Sequence, residues 1–395
     1  PLWSAGLAWD ITKESFYHFE ALSRVKIRGT YGYNGNANNS YSANPIMEYS
    51  GTHSITSYTY AYMINPSNPD YRSEKVGVFN LGLDFAALGN RISGTVDFYK
   101  KDGRDIVARG MVDPTTGFDS QILNVAHFAG RGIEANLQTE NIKGGKFSWI
   151  SNLIFNYQRN ITKKYNYRPA RADSYLDAAT SPNPVEGRDL YGLYAYPFAG
   201  LDPQTGEPLG WMNGEKSKEY TKFASSPVET LKFMGSTIPL YSGFVRNTFN
   251  YGHWSLSTNI QYKLKFVFRR PTINYSALAN YWTMNEDFDH RWRQPGDEVK
   301  TNVPAFIYPL NNARDNFYTF SDAVVERGDA IRIKDINLNY NFNGLGKGKI
   351  RGQVFFNMDN MNLIIWKKTG YNVDSDYYRS IPIPRTYTLG ATLNL

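Results

Sequence analysis

The residues best suited to chemistry in this chain lie far apart. The stretch NEDFDH, Asn285 to His290, gathers Glu286, Asp287, Asp289 and His290 and could offer oxygen and nitrogen ligands to a hard cation; a solvated acidic turn would use the same residues. The five histidines, His18, His53, His127, His253 and His290, are dispersed, and no pair has the spacing by which one helix brings two imidazoles to zinc. The chain has no cysteine, so thiolate nucleophiles, thiolate metal sites and a disulfide framework are excluded. It also lacks a phosphate-binding P-loop and a G-x-S-x-G elbow. An enzyme needs a nucleophile and a base brought together, and no such pair is legible. We therefore expect a protein that is not an enzyme and holds no resident metal or cofactor.

What the chain has in place of catalytic groups is aromatic side chains in its long irregular segments. Tyr58, Tyr60 and Tyr62 occupy one, Tyr191, Tyr194, Tyr196 and Trp211 a second, and Tyr281, Trp282, Trp292 and Tyr308 a third. Flat rings bury area at low entropic cost and present π faces, which suits sugars or peptides at a binding mouth. Tyr191, Tyr194, Trp211, Tyr281, Trp282 and Trp292 are the candidate substrate contacts. Packing of loop on loop, or on a partner, would use the same residues. Two further stretches, MVDPTTGF (111–118) and GLDPQTGEPLGW (200–211), carry Asp-Pro and Thr-Gly punctuation and read as tight turns that stiffen their loops.

The elements that must position these loops show a period of two. In WSLSTNIQYKLK (254–265), Trp254, Leu256, Ile260, Tyr262 and Leu264 share one parity, while Ser255, Ser257, Asn259, Gln261, Lys263 and Lys265 fill the other. Side chains of a strand point to alternate faces, so this stretch has one apolar and one polar face. The pattern recurs: Val25, Ile27, Tyr31 and Tyr33 against Lys26, Arg28 and Thr30; Phe79, Leu81, Leu83 and Phe85 against Asn80, Gly82 and Asp84; Trp149, Leu153, Phe155 and Tyr157 against Ser148, Asn152 and Asn156. Tyr241, Val245, Phe249 and Tyr251 form the hairpin partner of the first stretch. Near the end, Ile331 and Ile333 are odd but Ile336, Leu338 and Tyr340 are even, a slip at Lys334 and Asp335 that one extra residue in a β-bulge would produce. About eleven strands are expected, each near the roughly 9–11 residues that cross a bilayer.

The bulk numbers agree with such an architecture. The chain has 395 residues, 41% hydrophobic and 15% aromatic, and enough apolar material for a large ordered structure. Its mean hydropathy of −0.50 and its lack of a long apolar run do not exclude a membrane, because lipid-facing and lumen-facing residues of a β-barrel alternate and dilute each other. The net charge of +7 comes from Lys and Arg scattered along the strands, not gathered in a block, so nucleic acid is not the expected partner. The chain opens on Pro1 without a signal segment, which we read as a mature or cleaved piece or part of something longer.

Connections alternate in length. Short turns are expected at 87–90, 141–146, 251–253 and 343–349, with 11–23 a longer member of that set, and long links fall between them. Short turns at one end and long loops at the other suit an outer-membrane barrel. A soluble β-sandwich or barrel would show the same alternation. Against it stand the ionic residues of the polar parity, Arg28, Asp84, Asp97, Glu134, Arg246, Lys263 and Arg351, and the aromatics near strand ends, Trp3, Trp9, Tyr157, Tyr241, Tyr251, Trp254, Tyr340 and Tyr387. The fold class is all-β, a transmembrane antiparallel β-barrel. An odd strand count means either that the count is off by one or that strands are missing upstream, because bacterial single-chain barrels close with an even number.

Several segments occur together in a familiar order: VKIRGTYGYNGN (25–36), RISGTVDFYKKDGRDIV (91–107), GRGIEANL (130–137), GLDPQTGEPLG (200–210), ERGDAIRIKDINLNYNF (326–342), NMNLIIWKKTGYNVDSD (360–376) and IPIPRTYTLGATLNL (381–395). They resemble the C-terminal half of the SusC/RagA family of TonB-dependent outer-membrane transporters, the last two blocks most specifically. The resemblance implies a plugged barrel of roughly 22 strands, of which residues 1–395 supply about half, with the N-terminal plug and first strands absent from this chain. It further implies a SusD-like surface lipoprotein as lid, TonB as the energy source through that absent part, and import of oligosaccharides or oligopeptides. Two departures from the family pattern are GYNVDSD (370–376), where Asp-Pro-Glu is common, and a terminal Leu395 in place of an aromatic residue. The alternatives are a siderophore or cobalamin receptor of the same mechanism, a non-transporting surface glycan-binding protein, and a barrel enzyme such as an outer-membrane hydrolase.

Overall fold

The computed structural model of the chain describes residues 2–36, 43–177, 183–345 and 350–394. Most of the turn expected at 343–349, and Leu395, lie outside the described residues. A chain of alternating apolar and polar residues must still pair every backbone N–H and C=O, and this one does so by folding back on itself repeatedly. Strands β1 (Trp3–Asp10), β2 (Leu22–Asn36), β3 (Glu74–Ala87), β4 (Ile92–Met111), β5 (Ser120–Ile142), β6 (Phe147–Tyr165), β7 (Tyr241–Tyr251), β8 (Trp254–Leu264), β9 (Ala330–Leu345), β10 (Ile350–Asp359) and β11 (Thr386–Asn394) form one antiparallel sheet, each beside its predecessor. The expected eleven strands lie along its path, and β1 and β11 form its two edges. A short strand, Leu363–Lys367, continues β10 along the upper part of β9.

The β7–β8 hairpin pairs without a slip from Tyr241 opposite Leu264 to Tyr251 opposite Trp254. Gly252 begins its turn at φ +56°, a conformation that costs a glycine nothing. The phase slip read in β9 is a real bulge: Asn259 lies opposite Asp335 and Ile260 opposite Ile333, leaving Lys334 as the extra residue. Strand length is where the expectation fell short. β4, β5 and β6 run 20, 23 and 19 residues, because pairing between β4 and β5 continues past register shifts at Gly103–Val107 to Met111 opposite Ser120. These strands therefore project beyond a bilayer at the long-loop end.

One face of the sheet is apolar and exposed, with Leu7, Leu81, Phe98, Ile133, Leu256 and Leu389 in its band. Aromatic pairs border it: Trp149 stacks on Phe249 at 5.7 Å and Trp254 meets Tyr340 at 4.7 Å near the short turns, while Tyr157 meets Tyr241 at 5.1 Å and Trp3 packs edge-on to Tyr31 at 5.8 Å near the long loops. Two aromatic girdles around an apolar band match the profile of a bilayer. No helix among the described residues is long and apolar enough to cross a membrane.

Candidate functional site

The polar parity builds the inner wall. Arg28 on β2, Gly82 on β3 and Asp97 on β4 are directly opposite one another. The missing side chain at Gly82 lets the guanidinium lie flat across β3: a Cβ there would stand 2.7 Å from Arg28 Nη2 and 2.5 Å from Asp97 Oδ1. Arg28 thereby donates to Asp84 at 2.9 Å and to Asp97 at 3.2 Å. Farther round the wall, Asn259 donates to Asp335 at 3.1 Å, with Arg246 at 3.9 Å from the same carboxylate.

Residues 368–379 fold back over this inner face. Arg332, on β9, is 2% exposed and donates from Nη1 and Nη2 to Asp374 at 2.9 and 2.8 Å, while Lys263 on β8 holds Asp376 at 2.8 Å. Sequence reasoning marked GYNVDSD only as a departure from a family pattern. The signal available was two carboxylates separated by one residue, matched by two cations, Lys263 and Arg332, on the polar parity of two strands.

The two longest loops fuse into a cap with its own core. Phe317, in the helix Asn312–Thr319, stacks on Tyr196 at 5.2 Å and contacts Phe223 at 4.7 Å, with Tyr175, Tyr194, Tyr220 and Leu231 packed around them. Arg269 sews the loops together, donating to the carbonyls of Leu176 and Tyr194 at 2.7 Å each, with its guanidinium over Phe320 at 4.8 Å. Burial lowers its pKa to about 10, which leaves it charged at neutral pH. Burial likewise pushes the Tyr175 and Tyr196 hydroxyls up to about 12, so both stay neutral.

Both Asp-Pro stretches are the turns expected of them. Asp202 Oδ1 accepts from Gln204 N at 2.8 Å and Thr205 N at 2.9 Å, and Gly206 follows at φ +68°. Asp113 accepts from Thr115 N at 2.9 Å, with Gly117 at φ +83°. Lys218 clamps the larger turn, at 2.8 Å from Asp202 and 2.7 Å from Glu207. Its ammonium is the largest influence holding Asp202 down at about 2.

The six candidate aromatics separate into two kinds. Tyr194 is 5% exposed within the cap core, and Trp292 is 8% exposed against Leu201, Ala305 and the Gly206 backbone, donating to Glu298 at 3.1 Å. Both serve the packing of loop on loop, and neither offers a free ring face to a ligand. Tyr191 and Trp211 are exposed, Trp211 beneath the Lys216 ammonium. Tyr281 and Trp282 close the helix Tyr275–Tyr281, and Trp282 is 89% exposed at φ +58°. The NEDFDH stretch is engaged internally: buried Asp287 accepts from Arg270 at 2.6 Å and from Thr272 Oγ1. Among the described residues no three His, Asp or Glu side chains converge as a metal site. A cavity of about 520 Å³ opens beside this pair, lined by Asp289, His290, Arg291, Lys300 and Tyr371.

An antiparallel sheet with an apolar girdled outer face, an ion-paired inner face and all its long loops at one end is the wall of an outer-membrane β-barrel. No family model matches the chain. Across 98% of its length it is 24% identical to a TonB-dependent receptor of Formosa agariphila, of which it covers 41%. Over 177 residues it is 27% identical to the TonB-dependent receptor SusC of Bacteroides thetaiotaomicron, covering 40% of this chain and 17% of that receptor. The RagAB peptide transporter superposes on 99% of this chain with a TM-score of 0.76 at 20% identity, covering 43% of the transporter chain. The chain thus spans about two fifths of the first of these receptors. Its fold is that of a segment of an outer-membrane β-barrel wall, and in sequence it is similar to TonB-dependent receptors, SusC among them.

Proposed function

We propose that this chain is the C-terminal half of a plugged barrel that imports oligosaccharides or oligopeptides, driven by TonB and lidded by a SusD-like lipoprotein. The observation that carries the reading is the pairing of a polar, ion-paired inner wall with a loop cap too well packed to be a flexible fringe. Transport asks no covalent chemistry of such a wall. A plug gates the lumen, energy enters through TonB, and the wall supplies charged and amide groups for weak, reversible contacts. Tyr191, Tyr281 and Trp282 remain candidate contacts because their rings are exposed, as does Trp211 through the ring face away from Lys216, whereas Tyr194 and Trp292 hold the cap together. The exposed Tyr281–Trp282 tip, with Met284, gives a lipoprotein lid an apolar foothold.

The test is uptake by whole cells carrying the intact transporter, with labelled oligopeptides, oligosaccharides and ferric chelates supplied in parallel. Uptake of a peptide or glycan that stops when the proton-motive force is collapsed supports the proposal. Uptake of ferric chelates alone would make the protein a siderophore receptor, and binding without uptake would make it a surface binding protein.

A further inference from the structure

The outer face of β4 and β5 changes character within one residue pair. Toward the short turns it presents Val96 and Phe98 on β4, flanked by Leu81 on β3 and by Ala135 and Ile133 on β5. The next pair toward the long loops is Lys100 opposite Arg131, and Arg159 on β6 lies opposite Arg131 in turn. Side chains directly opposed on one face of an antiparallel pair stand roughly 5 Å apart at Cβ, and like charges so placed destabilise the pair unless an anion lies between them. Arg159 has its anion in Asp189 at 2.9 Å. Lys100 and Arg131 are exposed, and among the described residues no hydrogen bond or ion pair engages either. Asp102, the next carboxylate on this face, is already taken by Arg104 at 2.7 Å and His127 at 2.6 Å. Beside the pair lies a shallow concavity of about 490 Å³, lined by Tyr31, Tyr33, Phe79, Lys100, Arg104 and the already paired Asp102.

We propose that Lys100 and Arg131 bind the phosphate monoester of a lipid of the outer leaflet, whose near-double negative charge distinguishes it from the phosphodiester of a zwitterionic phospholipid. Its acyl chains lie along Phe98, Ile133 and Leu81, and its headgroup fills the concavity against Tyr31 and Tyr33. The position selects a lipid over a soluble anion, since the two cations sit where the apolar band ends and headgroups begin. Guanidinium and ammonium groups supply the charge-assisted hydrogen bonds that phosphate oxygens accept. The proposal concerns the outer face and does not depend on what the lumen carries.

The experiment uses the intact transporter in detergent, exchanged into nanodiscs of phosphatidylethanolamine doped with either lipid A or its dephosphorylated form. Lipid retained after re-extraction is measured by mass spectrometry. The native protein is expected to retain phosphorylated lipid A over the dephosphorylated form by at least about tenfold. The double variant Lys100→Gln with Arg131→Gln should lose that preference. The exchange variant Lys100→Arg with Arg131→Lys should keep it, as should Lys101→Gln, whose ammonium lies over Tyr99 on the inner face. Heat-resistant migration on a gel verifies that each barrel is folded. Equal retention by the double glutamine variant overturns the proposal. So does displacement of the lipid by inorganic phosphate at equal concentration, which would make this a soluble-anion site.

Discussion

Arg332 and Asp374 form a two-point salt bridge, Nη1 to Oδ2 at 2.9 Å and Nη2 to Oδ1 at 2.8 Å, that fastens residues 368–379 to the inner wall. Asp376 stands 3.4 Å from the same guanidinium and pairs with Lys263 at 2.8 Å. Because Arg332 is almost wholly buried, removing its partners leaves a charge without compensation. Changing Asp374 and Asp376 together to asparagine should cost about 3–5 kcal/mol and release the segment to proteases. Adding Arg332→Met should recover much of that loss. A double-mutant cycle on proteolysis rates checks this, and additive effects would contradict the coupling.

Phe317 is the centre of the loop cap, touching Tyr196, Tyr220 and Phe223. Phe317→Ala should destabilise the cap by about 3–5 kcal/mol. The barrel, whose pairing is independent of this ring, should keep its heat-resistant migration. Hydrogen exchange should quicken across 166–240 and 266–329 and stay unchanged in β1 to β5.

The Asp202–Lys218 clamp gives the cap a pH dependence of stated sign. Lys218 holds Asp202 at about 2 in the folded state, below its unfolded value near 4, so its contribution is present above about pH 4 and is lost as pH falls toward 2. Burial works to lower the Lys218 pKa, but Asp202 and Glu207 outweigh it and raise the value. That contribution is complete below the unfolded value near 10 and disappears as pH rises through the folded one. Lys218→Met should therefore flatten cap stability at both extremes, measured by protease resistance of 198–218 across pH. An unchanged profile would show that the clamp contributes nothing.

Tyr281 and Trp282 stand free at a helix end, with no packing role. Replacing both with alanine should leave cap stability within about 0.5 kcal/mol, while weakening capture of substrate or lid by about tenfold or more. Tyr194→Ala should do the reverse, loosening the cap first. Pull-down of the lipoprotein and ligand binding by calorimetry separate the two effects.

The strands were legible because the period of two is a local property: the parity of Trp254, Leu256, Ile260 and Tyr262 fixes their face wherever the strand lies. The bulge at Lys334 was readable for the same reason, as a change of parity. The cap was not, because the use of an aromatic ring depends on what folds against it. Tyr194 and Trp282 look alike in a list of loop aromatics, yet one meets Tyr175 and Phe233 while the other meets solvent. The partners of Asp374 and Asp376 were hidden because Arg332 lies 42 residues away from the first of them. The extra length of β4 to β6 was missed because a bulge at Asp105, in left-handed conformation, interrupts the alternation without ending the pairing.

The central claim is that the Trp254 parity faces lipid and the Lys263 parity faces the lumen. This chain has no native cysteine, so once any cysteine elsewhere in the transporter is replaced by serine, single cysteines can be placed at each position of β8, from 254 to 264. With a fluorophore at each, the account predicts quenching by brominated lipid at 254, 256, 258, 260, 262 and 264, and by an aqueous quencher at 255, 257, 259, 261 and 263. Uniform aqueous quenching at all positions, or lipid quenching without alternation, would contradict it.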